Sequence, residues 1–339
     1  MKGRTLVLDH LGDREAAALM VDGRLEDILI DGDAPRPGTV YRAIAERPMK
    51  GQGGVFVRTP DGSAYLRQIK GLAPGDALLV QVTGYAEPGK ALPVTIKVLF
   101  KSRYAIITPD APGLNISRQI KDEAARDRLL EIAHDAMAEV SYGLILRSVC
   151  EGADPEQIHD DIHAMLKLAQ AVLSDQGEGA ETLTEGDGPH AVAWRDWVEP
   201  ADVVHEPGSF AALGVLDALD MATGLREELS PGSMFLEQTR ALVAVDVNTG
   251  GDTSLAAGLK ANLACARALP RALRLRGLGG QIVIDPAPMA KKDRRTFEDA
   301  LRRALRADDI DTVLAGWTPL GHYELQRKRA RLPLSEVLK

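Results

Sequence analysis

Ala241-Leu-Val-Ala-Val-Asp-Val-Asn248 and Gln281-Ile-Val-Ile-Asp285 are the two stretches on which the reading of this chain turns. Each is a short run of apolar β-formers that ends in an aspartate, the pattern of a buried parallel strand. The segment between them is long enough for a helical crossover. Strand, helix, strand places Asp246 and Asp285 at the same edge of one sheet, where open α/β folds bind their ligands. Two carboxylates and the Asn248 amide oxygen meeting there form a hard-oxygen site suited to Mg²⁺. The plainer alternative is that each aspartate only caps a helix or closes a turn. Two features favour the metal. Asn248 lies two residues past Asp246, on the same side of a continuing strand. Asp285 runs into Pro286-Ala-Pro288, whose prolines have no N–H to be capped. The residues point to the metal centre of a phosphodiester-cleaving enzyme.

At 339 residues the chain is too long for one small core, and two to four domains are expected. An apolar fraction of 45% and a charged fraction of 27% are those of a soluble globular protein. No apolar stretch approaches membrane-spanning length, and no secretory core follows Met1-Lys-Gly-Arg-Thr5, so a cytoplasmic location is expected. Cys150 and Cys265 stand far apart without metal-ligand spacing, which excludes a disulfide framework and a zinc knuckle. The net charge of −8 argues against a nucleic-acid partner until its distribution is read. Residues 260–339 hold 17 Lys+Arg against 9 Asp+Glu, so basic charge gathers around the proposed centre. Lys291-Lys-Asp-Arg-Arg295 opens an expected helix, where cations oppose the macrodipole and a docked anion would offset the conflict. A solvated helix face is the alternative.

From the N-terminus, Thr5–Asp9, Ala16–Val21 and Leu25–Ile30 read as strands, with Asp22-Gly23 as a hairpin turn. The Pro/Gly stretch 32–38 marks a boundary. Val40–Ala45, Gly54–Thr59, Ala64–Ile69, Ala77–Val82 and Ala91–Leu99 then suggest a small OB-like barrel, a fold that commonly binds single-stranded nucleic acid. Phe56 and Tyr65 offer stacking faces to bases unless they pack into its core. Arg58, Arg67, Lys70 and Lys90 add positive charge. A mixed region follows, with strands at 104–108 and 143–149 and helices at 121–137 and 155–173. Arg147-Ser148 is a candidate anion site or a plain surface pair. Residues 174–190 are polar and Gly-rich, hence a loop or linker. A helix is expected over 210–229 and a strand over 234–237. A second helix is expected from about Ser254 to Arg276, kinked or interrupted at Pro270 and showing Arg267, Arg271 and Arg274 on one face. A helix over 293–306 and a strand over 312–316 follow, then the segment from Gly321 to Arg329.

The segment 241–249, the later Asn262-Leu263, and Leu273-Arg-Leu-Arg-Gly-Leu-Gly-Gly-Gln-Ile-Val-Ile-Asp285 resemble the catalytic core of the ribonuclease E/G family. Gly321 with Glu324, Arg327 and Arg329 is similar to its closing motif. The hairpin ending Val21-Asp-Gly-Arg-Leu25, the barrel, and Asn115-Ile-Ser-Arg-Gln-Ile120 resemble its N-terminal half. The resemblance implies an α/β multidomain fold. Residues 1–37 and 174–229 would form a split RNase H-like domain, 38–100 an OB-fold barrel and 101–173 a 5′-phosphate sensor. Residues 230–339 would form a deoxyribonuclease-I-like catalytic domain. It implies that Asp246 and Asp285 ligate a catalytic Mg²⁺ (or Mn²⁺), with Asn248 assisting. The implied activity is endonucleolytic hydrolysis of single-stranded RNA to 5′-phosphate and 3′-hydroxyl ends, in RNA processing or decay. Phe56, Tyr65 and Lys90 would contact RNA in the barrel. Arg147, with Ser148 where the family usually has threonine, would sense a 5′-monophosphate. Arg118, Asn262, Arg274, Lys291, Lys292, Arg327 and Arg329 complete the implied RNA contacts.

Departures accompany the resemblance. The family's Cys-Pro-x-Cys zinc link is absent from these 339 residues, so no zinc is expected and the oligomeric state is left open. Pro288 stands where the family usually has an acidic residue. Two alternatives remain: a non-catalytic RNA-binding relative, and a Mg-ATP-handling enzyme on an RNase H-like fold. The lack of a phosphate loop with its lysine weighs against the second.

Overall fold

Asp22 and Gly23 take φ of 49° and 77°, the two positive values that a two-residue type I′ hairpin needs. They join β2 (Arg14–Val21) to β3 (Arg24–Ile30), and β2 also pairs antiparallel with β1 (Arg4–Leu11). The computed structural model describes residues 3–46, 53–67 and 71–338. Lys70, expected to add charge to the barrel, lies outside them. The chain divides into two units, residues 33–200 and residues 1–32 with 201–339.

In the first of these, β4 (Val40–Ala45), β5 (Gly54–Thr59), β6 (Gly62–Arg67), β7 (Ala77–Val82) and β8 (Leu92–Thr95) form a sheet that closes through a β4–β7 pairing into a five-strand barrel. Alternate residues fill it: Tyr41, Ala43 and Ala45 from β4, Val55 and Val57 from β5, Ala64 and Leu66 from β6. The next layer is a sheet of β9 (Phe100–Lys101), β10 (Ala105–Thr108), β11 (Gly113–Ile116) and β12 (Gly143–Leu146). Helices α1 (Glu123–Ala136) and α2 (Pro155–Leu173) share its core, and Asp122 and Asp154 cap them. The polar stretch expected as a linker contains β13 (Glu181–Thr184), paired with β4, and runs into α3 (Pro189–Asp196). Arg42 holds it: the buried guanidinium donates to Gly179 O at 2.7 Å and pairs with Asp175 at 2.6 Å and with Glu181. Gly177 leaves room for that guanidinium, since a Cβ there would fall 1.9 Å from Nη1.

In the second unit, β14 (Asp202–Val204) adds parallel to β1. The helix expected over 210–229 is instead α4 (Ser209–Ala212) and α5 (Val215–Thr223), separated by Gly214 at φ 75° and followed by β15 (Arg226–Glu228). The remaining elements are β16 (Ser233–Gln238), β17 (Val243–Asn248), α6 (Leu255–Leu275), β18 (Gly280–Asp285), α7 (Arg294–Arg306), β19 (Thr312–Trp317), β20 (Tyr323–Arg327) and α8 (Leu334–Val337). Their five strands join β15 in one six-strand sheet, in the order β15-β16-β17-β18-β20-β19. Its apolar face packs with α6 and α7 in a core that includes Val245, Ile284, Leu269 and Phe297. α6 continues through Pro270 as one helix, so of the expected kink or interruption the interruption does not occur. No helix among the described residues is long and apolar enough to cross a membrane.

Candidate metal centre

β17 and β18 are parallel, and their register sets Asp246 directly beside Asp285. Neighbouring strands lie about 4.8 Å apart, and residues aligned in register project from the same face. Val245 and Ile284 point into the core, so the aspartates point away from it, and both are exposed. Asn248 Nδ2 donates to Asp246 Oδ2 at 2.7 Å, which leaves the amide oxygen free of that bond. Neither aspartate caps a helix: Ser254 caps α6, and a short 3₁₀ turn at Lys291–Asp293 leads into α7. Among the described residues, no three or more His, Cys, Asp or Glu side chains gather into a ready-made metal cage. An ion held here would therefore keep much of its water, as Mg²⁺ commonly does beside one or two carboxylates. The donor set fits such an ion.

Asn262, implied as an RNA contact, proves to be fully buried. Its amide donates to Ala287 O at 2.8 Å and accepts from Ala287 N at 2.9 Å, fixing the loop that follows Asp285. The same loop presses Pro288 O against Gly258, where a Cβ would be 1.8 Å away. His322, which sequence reasoning passed over, places Nε2 3.7 Å from Asp285 Oδ1. Its signal was a non-local strand register and not a motif.

The expected arginine face of α6 is also corrected. Arg274 lies 2.7 Å from Glu26 and 3.5 Å from Asp27, and it also pairs with Asp308. Burial alone would lower its pKa, but Asp27, Asp308 and Glu26 outweigh that and raise it. Arg271 donates to Leu25 O at 2.9 Å and to Glu227 at 3.2 Å. Arg327 is wholly buried, with Nη1 2.6 Å from Asp308 Oδ2, and desolvation lowers its pKa. Its guanidinium is committed to this ion pair and is not presented at the surface. Arg329 is half-buried beside Gly280, where a Cβ would fall 2.2 Å from Nη2. Lys291 and Lys292 are exposed at the start of the α7 segment, and Arg267 is exposed on α6.

In the unit of residues 33–200, Phe56 and Tyr65 are opposite each other in the β5–β6 register, with ring centroids 5.3 Å apart. Strand alternation puts them outside the barrel core, on the side that also carries exposed Arg58 and Arg67. Lys90 pairs with Glu87 across a turn, and Arg118 is exposed. Arg147 is engaged: Nη1 donates to Ser102 O at 2.8 Å and Arg195 O at 3.0 Å, and Nη2 to Asp196 at 2.9 Å. Three of its five N–H donors are used, which leaves two for an anion. Ser148 follows it, half-buried. Burial alone would raise the Asp196 pKa, but Arg195 and Arg147 hold it below the usual carboxylate range. Both cysteines are buried, which pushes their thiols up to about 12 and removes them as nucleophiles or ligands.

The model of the ribonuclease E/G family matches residues 100–202 and 202–330. Ribonuclease G of Salmonella typhimurium is 28% identical over 400 aligned positions, covering 98% of this chain and 81% of its own length. Ribonuclease G of Escherichia coli is 27% identical with the same coverage. Ribonuclease E of a Nostoc species is 26% identical over 93% of this chain and 54% of its own. With its two aligned aspartates on a sheet edge and a family match spanning well over half its length, the chain belongs to the ribonuclease E/G family of enzymes.

Proposed function

We infer that the protein is a metal-dependent endoribonuclease that hydrolyses single-stranded RNA to 5′-phosphate and 3′-hydroxyl ends, in RNA processing or decay. The observation that carries this reading is the register that aligns Asp246 with Asp285 on the exposed face of β17 and β18. These two carboxylates would hold the ion, Mg²⁺ or Mn²⁺. When bound there, the ion supplies Lewis-acid charge at the attacked phosphate and lowers the pKa of its water. Asn248 orients the Asp246 carboxylate through its amide N–H. Asn262 holds the backbone after Asp285 at a fixed height.

Phe56 and Tyr65, flanked by Arg58 and Arg67, form an outward aromatic pair suited to stacking bases of any sequence. Lys90, Arg118, Lys291 and Lys292 would meet phosphates. Arg147, steadied by Asp196 with two donors spare, would receive a 5′-monophosphate beside Ser148. The five-strand barrel at 38–100 supports an OB-fold RNA clamp, and 101–173 would be the sensor. The order β3-β2-β1-β14, antiparallel then parallel, supports an RNase H-like domain split between 1–37 and 174–229. The six-strand sheet within 230–339 would be the deoxyribonuclease-I-like catalytic part.

The test is to incubate the protein with 5′-monophosphorylated, A/U-rich single-stranded RNA, with and without Mg²⁺. Internal cuts that need the metal, and that vanish in Asp246→Asn and Asp285→Asn while RNA binding persists, are the expected result. Unchanged cutting by either variant removes these residues from the reaction. Binding without any cut by the wild type would favour a non-catalytic relative.

A further inference from the structure

We propose that Phe235 is a stacking platform for the base of a nucleotide that flanks the scissile phosphate. It belongs to a row that runs from a cation through an aromatic ring to the paired carboxylates. The proposal rests on the endoribonuclease reading above and deepens it, giving the six-strand sheet a base subsite of its own. The row follows the register of four neighbouring strands. Arg226 of β15 pairs with Phe235 of β16, Phe235 with Asp246 of β17, and Asp246 with Asp285 of β18. The residues beside them fix the face they share. Glu227 pairs with Arg271 and Arg276 of α6, and Met234, Leu236, Val245 and Ile284 lie in the core. Successive side chains of a strand point to opposite faces, so Arg226, Phe235, Asp246 and Asp285 all project from the side away from α6.

Core packing does not account for the ring. Phe235 is half-buried, yet it belongs to none of the four hydrophobic clusters among the described residues. The same face carries exposed Glu237, Gln281 and Gln326. Two carboxylates beside an aromatic ring offer it no attraction, because its π-face is itself negative. A nucleobase does, since every base has a π-face to stack. Arg226 belongs to β15, on the far side of β16 from Asp246, and its guanidinium carbon lies 6.0 Å from the ring centroid. Glu228 holds that guanidinium at 2.9 Å. The cation therefore approaches Phe235 from the side away from the carboxylates.

The spacing suits a single nucleotide. Cβ atoms of residues opposite one another in such a ladder are about 4.5–5.5 Å apart, so the ring stands immediately beside Asp246. A base is joined to its phosphate through one ribose. A phosphate attacked at the carboxylates therefore brings an adjoining base within reach of Phe235. Arg226 lies one strand further out, about 10 Å from Asp246, where it meets the phosphate beyond that base. The stack thereby sets which phosphate of the strand enters the centre, and Phe235 acts on the choice of cut site and not on the bond-breaking step.

A double-perturbation cycle tests this with the full chain, Mg²⁺ and a single-stranded RNA that is cut at one site. An abasic nucleotide replaces each position flanking the cut in turn. Wild type, Phe235→Leu and Phe235→Trp are compared, each checked for folding by circular dichroism. Removing the base at one flanking position should lower wild-type kcat/KM about tenfold, and Phe235→Leu should lower it by a similar factor on intact RNA. The two losses should not add, because they delete the same contact, and Phe235→Trp should restore the rate. A fluorescent adenine analogue at that position should be quenched on binding wild type and not on binding Phe235→Leu. Losses that add in full, base removal that wild type tolerates at every flanking position, or quenching that persists in Phe235→Leu overturns the stacking role. Loss of cutting in Asp246→Asn on the same RNA then leaves the metal centre standing. Full cutting by Asp246→Asn overturns the centre, and the subsite with it.

Discussion

Replacing Arg327 by Met separates two roles for a residue that sequence similarity places among RNA contacts and the structure places in the core. The guanidinium is fully buried, with Nη1 2.6 Å from Asp308 Oδ2 and 2.9 Å from Thr312 Oγ1. The Asp308 side chain is itself 1% exposed, and Arg274 remains beside it when Arg327 is gone. Removing one partner of a buried ion pair costs about 3–5 kcal/mol, because the other charge is left without compensation. Two facts push the value toward the lower end. Arg274 still faces Asp308, and Arg327 Nε and Nη2 already lack hydrogen-bond partners, so their desolvation cost disappears with them. A loss of about 3 kcal/mol follows, or a fall of roughly 6–12 °C in the thermal transition of the unit that contains residues 201–339. The double variant Arg327→Met/Asp308→Leu should recover most of that loss, since no orphaned charge remains. Calorimetry reads the stability, and fluorescence anisotropy with single-stranded RNA at 20 °C over a salt series reads the affinity. RNA affinity and salt slope should stay at wild-type values. A variant of full thermal stability whose log–log salt slope falls by about one would show that Arg327 neutralises a phosphate, and the argument from burial would fail.

Asn262→Leu should cost about 1–3 kcal/mol for each of the two Ala287 backbone groups it orphans, read by denaturant unfolding. An unchanged midpoint would show that the loop after Asp285 does not depend on this latch. Asp196 has a depressed pKa in the folded protein, so its contribution is present above the ordinary value of 3.8 and is lost as pH falls through the lower folded value. Asp196→Asn should therefore lower stability at neutral pH and flatten the acid limb below about pH 4. Thermal scans from pH 2 to 7 check it, and an acid limb as steep as wild type would deny the pairing with Arg195 and Arg147. Arg147→Ala should erase any preference for 5′-monophosphate over 5′-triphosphate RNA. Retained preference in competition assays would remove Arg147 from 5′-end recognition.

Local pattern made some elements legible and left others hidden, for physical reasons. The β17 and β18 strands were readable because both lie in the middle of a sheet and their apolar runs answer to one core. The barrel strands were readable from the alternation of Val55, Val57, Ala64 and Leu66 with polar neighbours. β13 was not, because Glu181–Thr184 pairs through its backbone and is held by Arg42, more than 130 residues away in sequence. The split between α4 and α5 hinges on Gly214 in a left-handed conformation, which the apolar periodicity on either side conceals. At Pro270 the local signal left a kink or a break open, and burial of α6 against the sheet holds the helix continuous despite one missing backbone donor. In the site, the aspartates could be placed because each ends a run, whereas His322 reaches Asp285 only through a β18–β20 register that no local spacing encodes.

The basic surplus of residues 260–339 illustrates why counting charge along a chain differs from counting it in space. Arg271, Arg274, Arg276 and Arg331 face Glu26, Asp27 and Glu227, which lie outside that stretch of sequence. Arg327 faces Asp308 within it. Five of the cations are thereby committed to holding the N-terminal hairpin, β15 and the C-terminal segment onto α6 and β20. Their field is neutralised at short range, where opposite charges meet within 4 Å, and little of it extends to a ligand a Debye length away. The positive charge left for phosphate comes instead from exposed residues, Lys260, Arg267, Lys291, Lys292, Arg295, Arg303, Arg306 and Lys328. Electrostatic steering by this unit should therefore be weaker than the excess of 17 basic over 9 acidic residues implies. Its salt dependence should follow the exposed lysines and arginines, not the whole surplus.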